Sequence, residues 1–130
     1  MASEKRALHV DDDPLIRKLV KSILDHAGYE VASASNIAEA MQALEAAPPG
    51  FILLDVEIGL ESGYDLCNRI RDAGVLAPLA FLTASPTLEH LKKAQDIGAD
   101  YLIRKPFTPS SLLEGIEQAV AVRQKISAAS

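Results

Sequence analysis

At four points along this chain, a side chain able to handle charge comes directly or shortly after a short apolar run. Asp11 and Asp12 follow Ala7 to Val10, Asp55 follows Phe51 to Leu54, Thr83 follows Leu79 to Leu82, and Lys105 comes shortly after Tyr101 to Ile103. Carboxylates hold hard cations through oxygen, and a carboxylate can also act as the nucleophile that forms an acyl phosphate. Phosphoryl transfer needs little else beyond an in-line nucleophile and fixed positive charge on the transferring oxygens, which a lysine can supply. Taken together, the five residues point to a phosphorylation site. Each also has a plainer reading. Asp55 can be a helix cap or a metal ligand only, Thr83 a β-branched residue closing a strand, and Lys105 a solvated lysine at the Pro106 turn. Asp11 and Asp12 are harder to explain away, because aspartate is disfavoured in strands and two in succession at a strand end need a reason.

These residues work together only if the fold brings them together. Phe51 to Leu54 reads as a strand buried on both faces, so its first polar residue emerges at the carboxyl end, where open α/β sheets bind ligands. Apolar runs alternate with helical patterns from end to end, giving five strands and five helices around a parallel sheet. Asp13 caps the first helix and Pro14 suits its first turn; Ile16, Leu19, Val20, Ile23 and Leu24 recur at helical spacing, and Gly28 stops it. Strand two covers 30–34 and helix two about 37–46, ahead of the breaker Pro48, Pro49, Gly50. Helix three covers about 64–72 with Leu66, Cys67 and Ile70 inward, and Gly74 ends it. Helix four covers about 88–97 and is closed by Gly98. Helix five covers about 110–125 with Leu112, Leu113, Ile116, Ala119 and Val120 on one face, and Ser127 to Ser130 read as a frayed end. Right-handed crossovers place the strand carboxyl ends, and so all five reactive residues, along one edge.

Composition narrows the class. The 130 residues fit a single domain with a self-sufficient core, over about 6–124 with short polar tails. A net charge of −5 leaves no basic footprint, which argues against nucleic acid or an anionic membrane as a direct partner. The lone Cys67 allows no internal disulfide and no thiolate cluster, and Met1 to Arg6 contain no apolar leader. The expected compartment is the cytoplasm. His9, His26 and His90 have no partner at metal-ligand spacing; His9 is expected to pack beside the sheet and the other two to be solvated. Cys67 reads as a small apolar helix residue.

In these motifs the chain resembles the receiver domain of bacterial two-component response regulators over nearly its whole length. The matching pieces are Val10-Asp11-Asp12-Asp13-Pro14 with Arg17, Leu54-Asp55 with Gly63, Leu82-Thr83-Ala84, Gly98-Ala99-Asp100, and Lys105-Pro106-Phe107. The resemblance implies a flavodoxin-like (βα)5 doubly wound sandwich whose parallel strands run in the order 2-1-3-4-5. It also implies roles. Asp55 would accept a phosphoryl group from the phosphohistidine of a sensor histidine kinase or histidine phosphotransfer protein. Asp11, Asp12, Asp55 and the backbone carbonyl of Glu57 would hold Mg²⁺; Thr83 would bind a phosphoryl oxygen, and Lys105 would pair with the group. The Lys105–Pro106 bond would be cis. Phosphorylation would change binding to a downstream protein target, and no turnover of an external substrate is expected.

The chain departs from the family pattern in three places. Gly59 stands where receivers usually carry proline, so a more mobile loop is expected there. Glu57 brings an extra carboxylate beside the site and, with Ser85, is a candidate to tune metal affinity or the lifetime of the phosphorylated state. Leu102 occupies the usual aromatic-switch position while Tyr101 lies one place earlier; alternation along a strand sends that ring to the opposite side. Two rivals follow: a receiver-like docking or phosphate-shuttle module without a working switch, and a haloacid-dehalogenase-like phosphatase read from Asp55-Val56-Glu57. The second wants aspartate in place of Glu57, a Thr or Val soon after, its motif on the first strand, and a longer chain.

Overall fold

Alternating apolar runs and amphipathic stretches resolve, in a computed structural model describing residues 3–129, into a parallel sheet wrapped by helices on both faces. Strands β1 (Ser3–Val10), β2 (Glu30–Ala34), β3 (Pro49–Asp55), β4 (Leu79–Thr83) and β5 (Tyr101–Arg104) form one sheet in the order β2-β1-β3-β4-β5. Helices α1 (Pro14–His26), α2 (Ile37–Ala46), α3 (Gly63–Asp72), α4 (Leu88–Asp96) and α5 (Pro109–Ala129) make the crossovers. The expected strand order is the observed one. All the sheet pairings are parallel, including Val10 with Leu54 and Thr83 with Arg104, so the carboxyl ends share one edge.

The side-chain pattern assigns each helix to a face. Leu8, Ile52, Leu54 and Phe81 pack in a cluster with Ile37 and Ala40 of α2, Leu66, Cys67 and Ile70 of α3 and Ala94 of α4. On the other face Ala7, Phe51, Leu53, Leu82 and Ile103 meet Val20, Ile23 and Leu24 of α1 and Leu112, Ile116 and Ala119 of α5. Strands β3 and β4 are apolar on both faces because helices cover both. Two glycines permit close approach: a Cβ at residue 63 would lie 1.9 Å from the Asp55 carbonyl oxygen, and one at residue 115 would lie 2.4 Å from Ile103 Cγ1. The start of α3 therefore rests directly on the end of β3.

Several expectations need correction. Leu19 is 47% exposed rather than part of the α1 core face. Pro49 and Gly50 belong to β3 instead of breaking the chain before it, and α5 continues through Ala129, past the end expected near residue 125; Ser130, like Met1 and Ala2, lies outside the described residues. The loop after Asp55 contains a small antiparallel ribbon, Glu57–Ile58 against Glu61–Ser62. Gly59 is the first residue of its two-residue turn, with φ +61°. That value suits the primed turns that close hairpins, and proline, locked near −65°, cannot adopt it.

Candidate functional site

The capping of α1 organises the acidic end of β1. Asp13 accepts from the Leu15 N–H at 2.9 Å as N-cap, while its own N–H donates to Asp11 Oδ1 at 2.9 Å. Arg17, one turn into the helix, donates to the Asp11 carbonyl oxygen at 2.7 Å. Asp11 is thereby turned inward and is 1% exposed, whereas Asp12 is exposed. One carboxylate oxygen from each of Asp11, Asp12 and Asp55 falls within 4.8 Å of the others.

Lys105 reaches this cluster from the end of β5. Its Nζ donates to Asp55 Oδ2 at 2.8 Å and lies 3.7 Å from Asp11 Oδ2. The Lys105–Pro106 bond is cis, as the resemblance implied. Thr83 is buried at the end of β4, where its Oγ1 accepts from the Ser85 N–H at 3.1 Å. Asp11, Asp12, Asp55, Thr83 and Lys105 all border one cavity of about 500 Å³, together with Glu57 and Ser85. A cleft of about 580 Å³ at the amino-terminal end of the sheet is slightly larger, but the acidic cluster lies in the first. Here chemistry, not volume, identifies the site.

Electrostatics describe a site short of positive charge. Burial first, and then the neighbouring Asp55, hold the Asp11 carboxyl up at about 6 against the lowering pull of the Asp13 N–H and Lys105. Asp11 Oδ2 is buried without a hydrogen-bond partner. An unsatisfied buried carboxylate oxygen facing two other acids is what a hard, oxygen-preferring divalent cation would satisfy, so the donor set fits such an ion.

Sequence reasoning missed His90. Expected to be solvated, it is only partly exposed, borders the same cavity as Asp55 and Lys105, and bonds the Ser85 carbonyl oxygen through Nδ1. Its spacing to Thr83 carries no signal, because a folded loop brings them together. His26 is exposed as expected, with Nδ1 on the Ser22 carbonyl at 2.8 Å, and His9 is fully buried. Cys67 is buried, its thiol pushed up to about 11 by that burial. Leu102 packs with the α3 and α4 cluster, while Tyr101 is 39% exposed.

The sequence profile described as the response regulator receiver domain matches residues 7–117. The chain belongs to the response regulator receiver family. It is 38% identical over 118 residues to the transcriptional regulatory protein GltR of Pseudomonas aeruginosa, covering 89% of this chain and 49% of that protein. It is 33% identical over 128 residues to the transcriptional regulatory protein PdtaR of Mycobacterium tuberculosis, covering 98% and 62%. The receiver thus spans about half to three-fifths of the length of these relatives. Among solved structures, a CheY-like receiver domain protein from Methanospirillum hungatei superposes with a TM-score of 0.84 at 31% identity, covering 95% of this chain and 98% of that one. The chemotaxis protein CheY4 of Vibrio cholerae gives 0.85 at 30%, covering 92% and 98%.

The chain is therefore a phosphoacceptor receiver whose Asp11, Asp12 and Asp55 form the acidic cluster typical of aspartyl phosphorylation in two-component signalling. A receiver of this kind supports its own phosphorylation and dephosphorylation rather than turnover of an external substrate. Among the described residues no helix is long and apolar enough to cross a membrane.

Proposed function

We propose that residues 1–130 form one receiver unit in which Asp55 is the phosphoacceptor, served by a histidine kinase or histidine phosphotransfer protein. The observation that carries this reading is the placement of Asp55: its Oδ2 is bonded by Lys105 at 2.8 Å, within reach of Asp11 and Asp12, at the mouth of the cavity. Among the described residues no other carboxylate has both the lysine hydrogen bond and the acidic neighbours.

Two anionic reactants must meet here. At about 4 Å a pair of unit charges repels by about 4 kcal/mol at an effective dielectric near 20. Lys105 offsets part of this for the incoming group, since its ammonium has three donors and can keep Asp55 while taking a phosphoryl oxygen. Thr83 has its hydroxyl at the strand end, where the oxygen accepts from the Ser85 N–H and the O–H proton can be donated to a phosphoryl oxygen. Asp11, Asp12, Asp55 and the Glu57 carbonyl would hold Mg²⁺, which supplies the second positive charge when bound. Asp13 and Arg17 fix the β1 end, so that Asp11 stays turned inward.

Phosphorylation changes affinity for a downstream protein by shifting a conformational equilibrium. One observation favours a second reading, a docking or shuttle module without the Thr–aromatic switch: Leu102 is packed into the core cluster at the switch position. Treating the protein with acetyl phosphate and Mg²⁺ and weighing it intact tests the first claim. One phosphoryl group should be added to the parent and none to Asp55→Asn; incorporation that survives in Asp55→Asn would sink the assignment.

A further inference from the structure

His90 is the third residue of α4 and a polar group of the cavity wall to which the receiver reading gives no task. Its backbone N–H donates to Oγ1 of Thr87, the α4 N-cap, at 3.2 Å. Its ring nitrogen Nδ1 bonds the Ser85 carbonyl oxygen. A carbonyl can only accept, so Nδ1 carries the proton, and in the neutral ring Nε2 keeps a lone pair. The anchor is itself held: Ser85 O also accepts from the Thr87 N–H at 2.9 Å, and the Ser85 N–H donates to Thr83 Oγ1 at 3.1 Å. The imidazole is thus fixed in orientation beside the cavity that Asp55, Thr83 and Lys105 share.

We propose that His90 acts in loss of the phosphoryl group, holding the attacking water and taking its proton at Nε2; this rests on reading Asp55 as the phosphoacceptor. In that step the water oxygen forms a bond to phosphorus, and the bond from phosphorus to the Asp55 carboxyl oxygen breaks, its electron pair leaving with the regenerated carboxylate. The water proton passes to Nε2, phosphate departs, and the ring returns the proton to solvent. The other groups on the wall are less free to do this. Lys105 is a donor only, Asp13 caps α1, and Asp11, Asp12 and Asp55 form the cation-binding cluster. Glu57 is the remaining competitor and serves as the control.

The test uses the full chain, phosphorylated with acetyl phosphate and Mg²⁺, freed of donor, and followed by intact mass as the phosphoryl group is lost. His90→Ala and His90→Asn should both take up one group and lose it about tenfold more slowly than the parent, a modest share of what a positioned proton acceptor contributes. Asparagine places an amide N–H near the position of Nδ1 but nothing at Nε2, whereas glutamine reaches the Nε2 position. His90→Gln should therefore recover part of the rate by orienting the water. Decay at the parental rate in His90→Asn would reduce the residue to a tether for Ser85 and overturn the proposal, as would parental decay in His90→Ala. Slow decay in Glu57→Gln with parental decay in His90→Ala would also overturn it, moving the proton acceptor to Glu57. A parent that takes up no phosphoryl group at all would refute the Asp55 assignment itself, and the role of His90 with it.

Discussion

His9 on β1 and Asp11, just past the end of that strand, stand two places apart, both buried, and respond to acid in opposite ways. Burial raises Asp11 from 3.8 to about 6 and lowers His9 from 6.5 to about 3, with Lys105 and Arg17 adding to the latter. For Asp11 the folded state holds the proton more tightly, so its contribution is full below about pH 3.8 and is lost as pH rises through about 6. For His9 the unfolded chain binds the proton first, so its contribution grows as pH rises from about 3 to about 6.5. Each proton changes stability by about 1.4 kcal/mol per pH unit, and over about pH 4 to 6 the two slopes oppose. In chelator, urea midpoints of Asp11→Asn should rise more steeply with pH over that window than those of the parent, and His9→Leu should tilt the other way. Both His9 ring nitrogens are buried without a partner, so at neutral pH His9→Leu should also gain about 1 to 2 kcal/mol. At this scale the five reactive residues were legible because each follows an apolar run at a strand end. His90 was not, because its approach to the cavity depends on the path of the loop from Ser85 to Thr87.

At the scale of elements, the join between β3 and α3 matters most for Asp55. A side chain at residue 63 would meet backbone, not a yielding side chain, so α3 would have to withdraw from the strand that carries Asp55. Gly63→Ala should cost about 3 kcal/mol in urea unfolding and slow acetyl phosphate uptake, while a neutral result would show that the join is loose. Strand and helix cores were readable from periodicity, with β2 and α2 matching at both ends. The Glu57–Ile58 and Glu61–Ser62 ribbon was not, since two-residue strands offer no period to detect. Leu19 misled for a related reason: helical spacing marks a stripe, and nothing in the sequence says how far neighbouring elements extend over it. The end of α5 was also hidden, because small residues such as Ala128 and Ala129 suit a helix as well as a tail.

For the molecule as a whole, charge is balanced at both ends of the sheet by different means. At the site end the acidic cluster suits a divalent cation, and Mg²⁺ at about ten times its dissociation constant should add about 1.4 kcal/mol, or about 5 °C in melting temperature, reversed by EDTA. At the far end Asp100 is fully enclosed by protein cations. Its Oδ2 accepts from the Leu79 N–H at 2.9 Å, Arg71 at 3.2 Å and Arg123 at 3.2 Å, and Arg123 makes a further charge contact with Oδ1 at 2.8 Å. Arg71 and Arg123 also donate to the Gly98 carbonyl, tying α3 and α5 to the turn before β5. Asp100→Asn would leave two partly buried guanidinium groups without their counter-charge and should lose about 3 kcal/mol, measured by urea unfolding.

That clamp has a consequence for where the chain opens. Backbone amides near Leu79 and Asp100 sit under cross-links from two helices, whereas those from Ala84 to Thr87 lie in an exposed loop held by a few local hydrogen bonds. Deuterium uptake should therefore run as a gradient along the sheet, slowest at the clamp and fastest at the phosphoacceptor edge. The same polypeptide then offers a stiff base against which the signalling end can breathe without the whole protein coming apart.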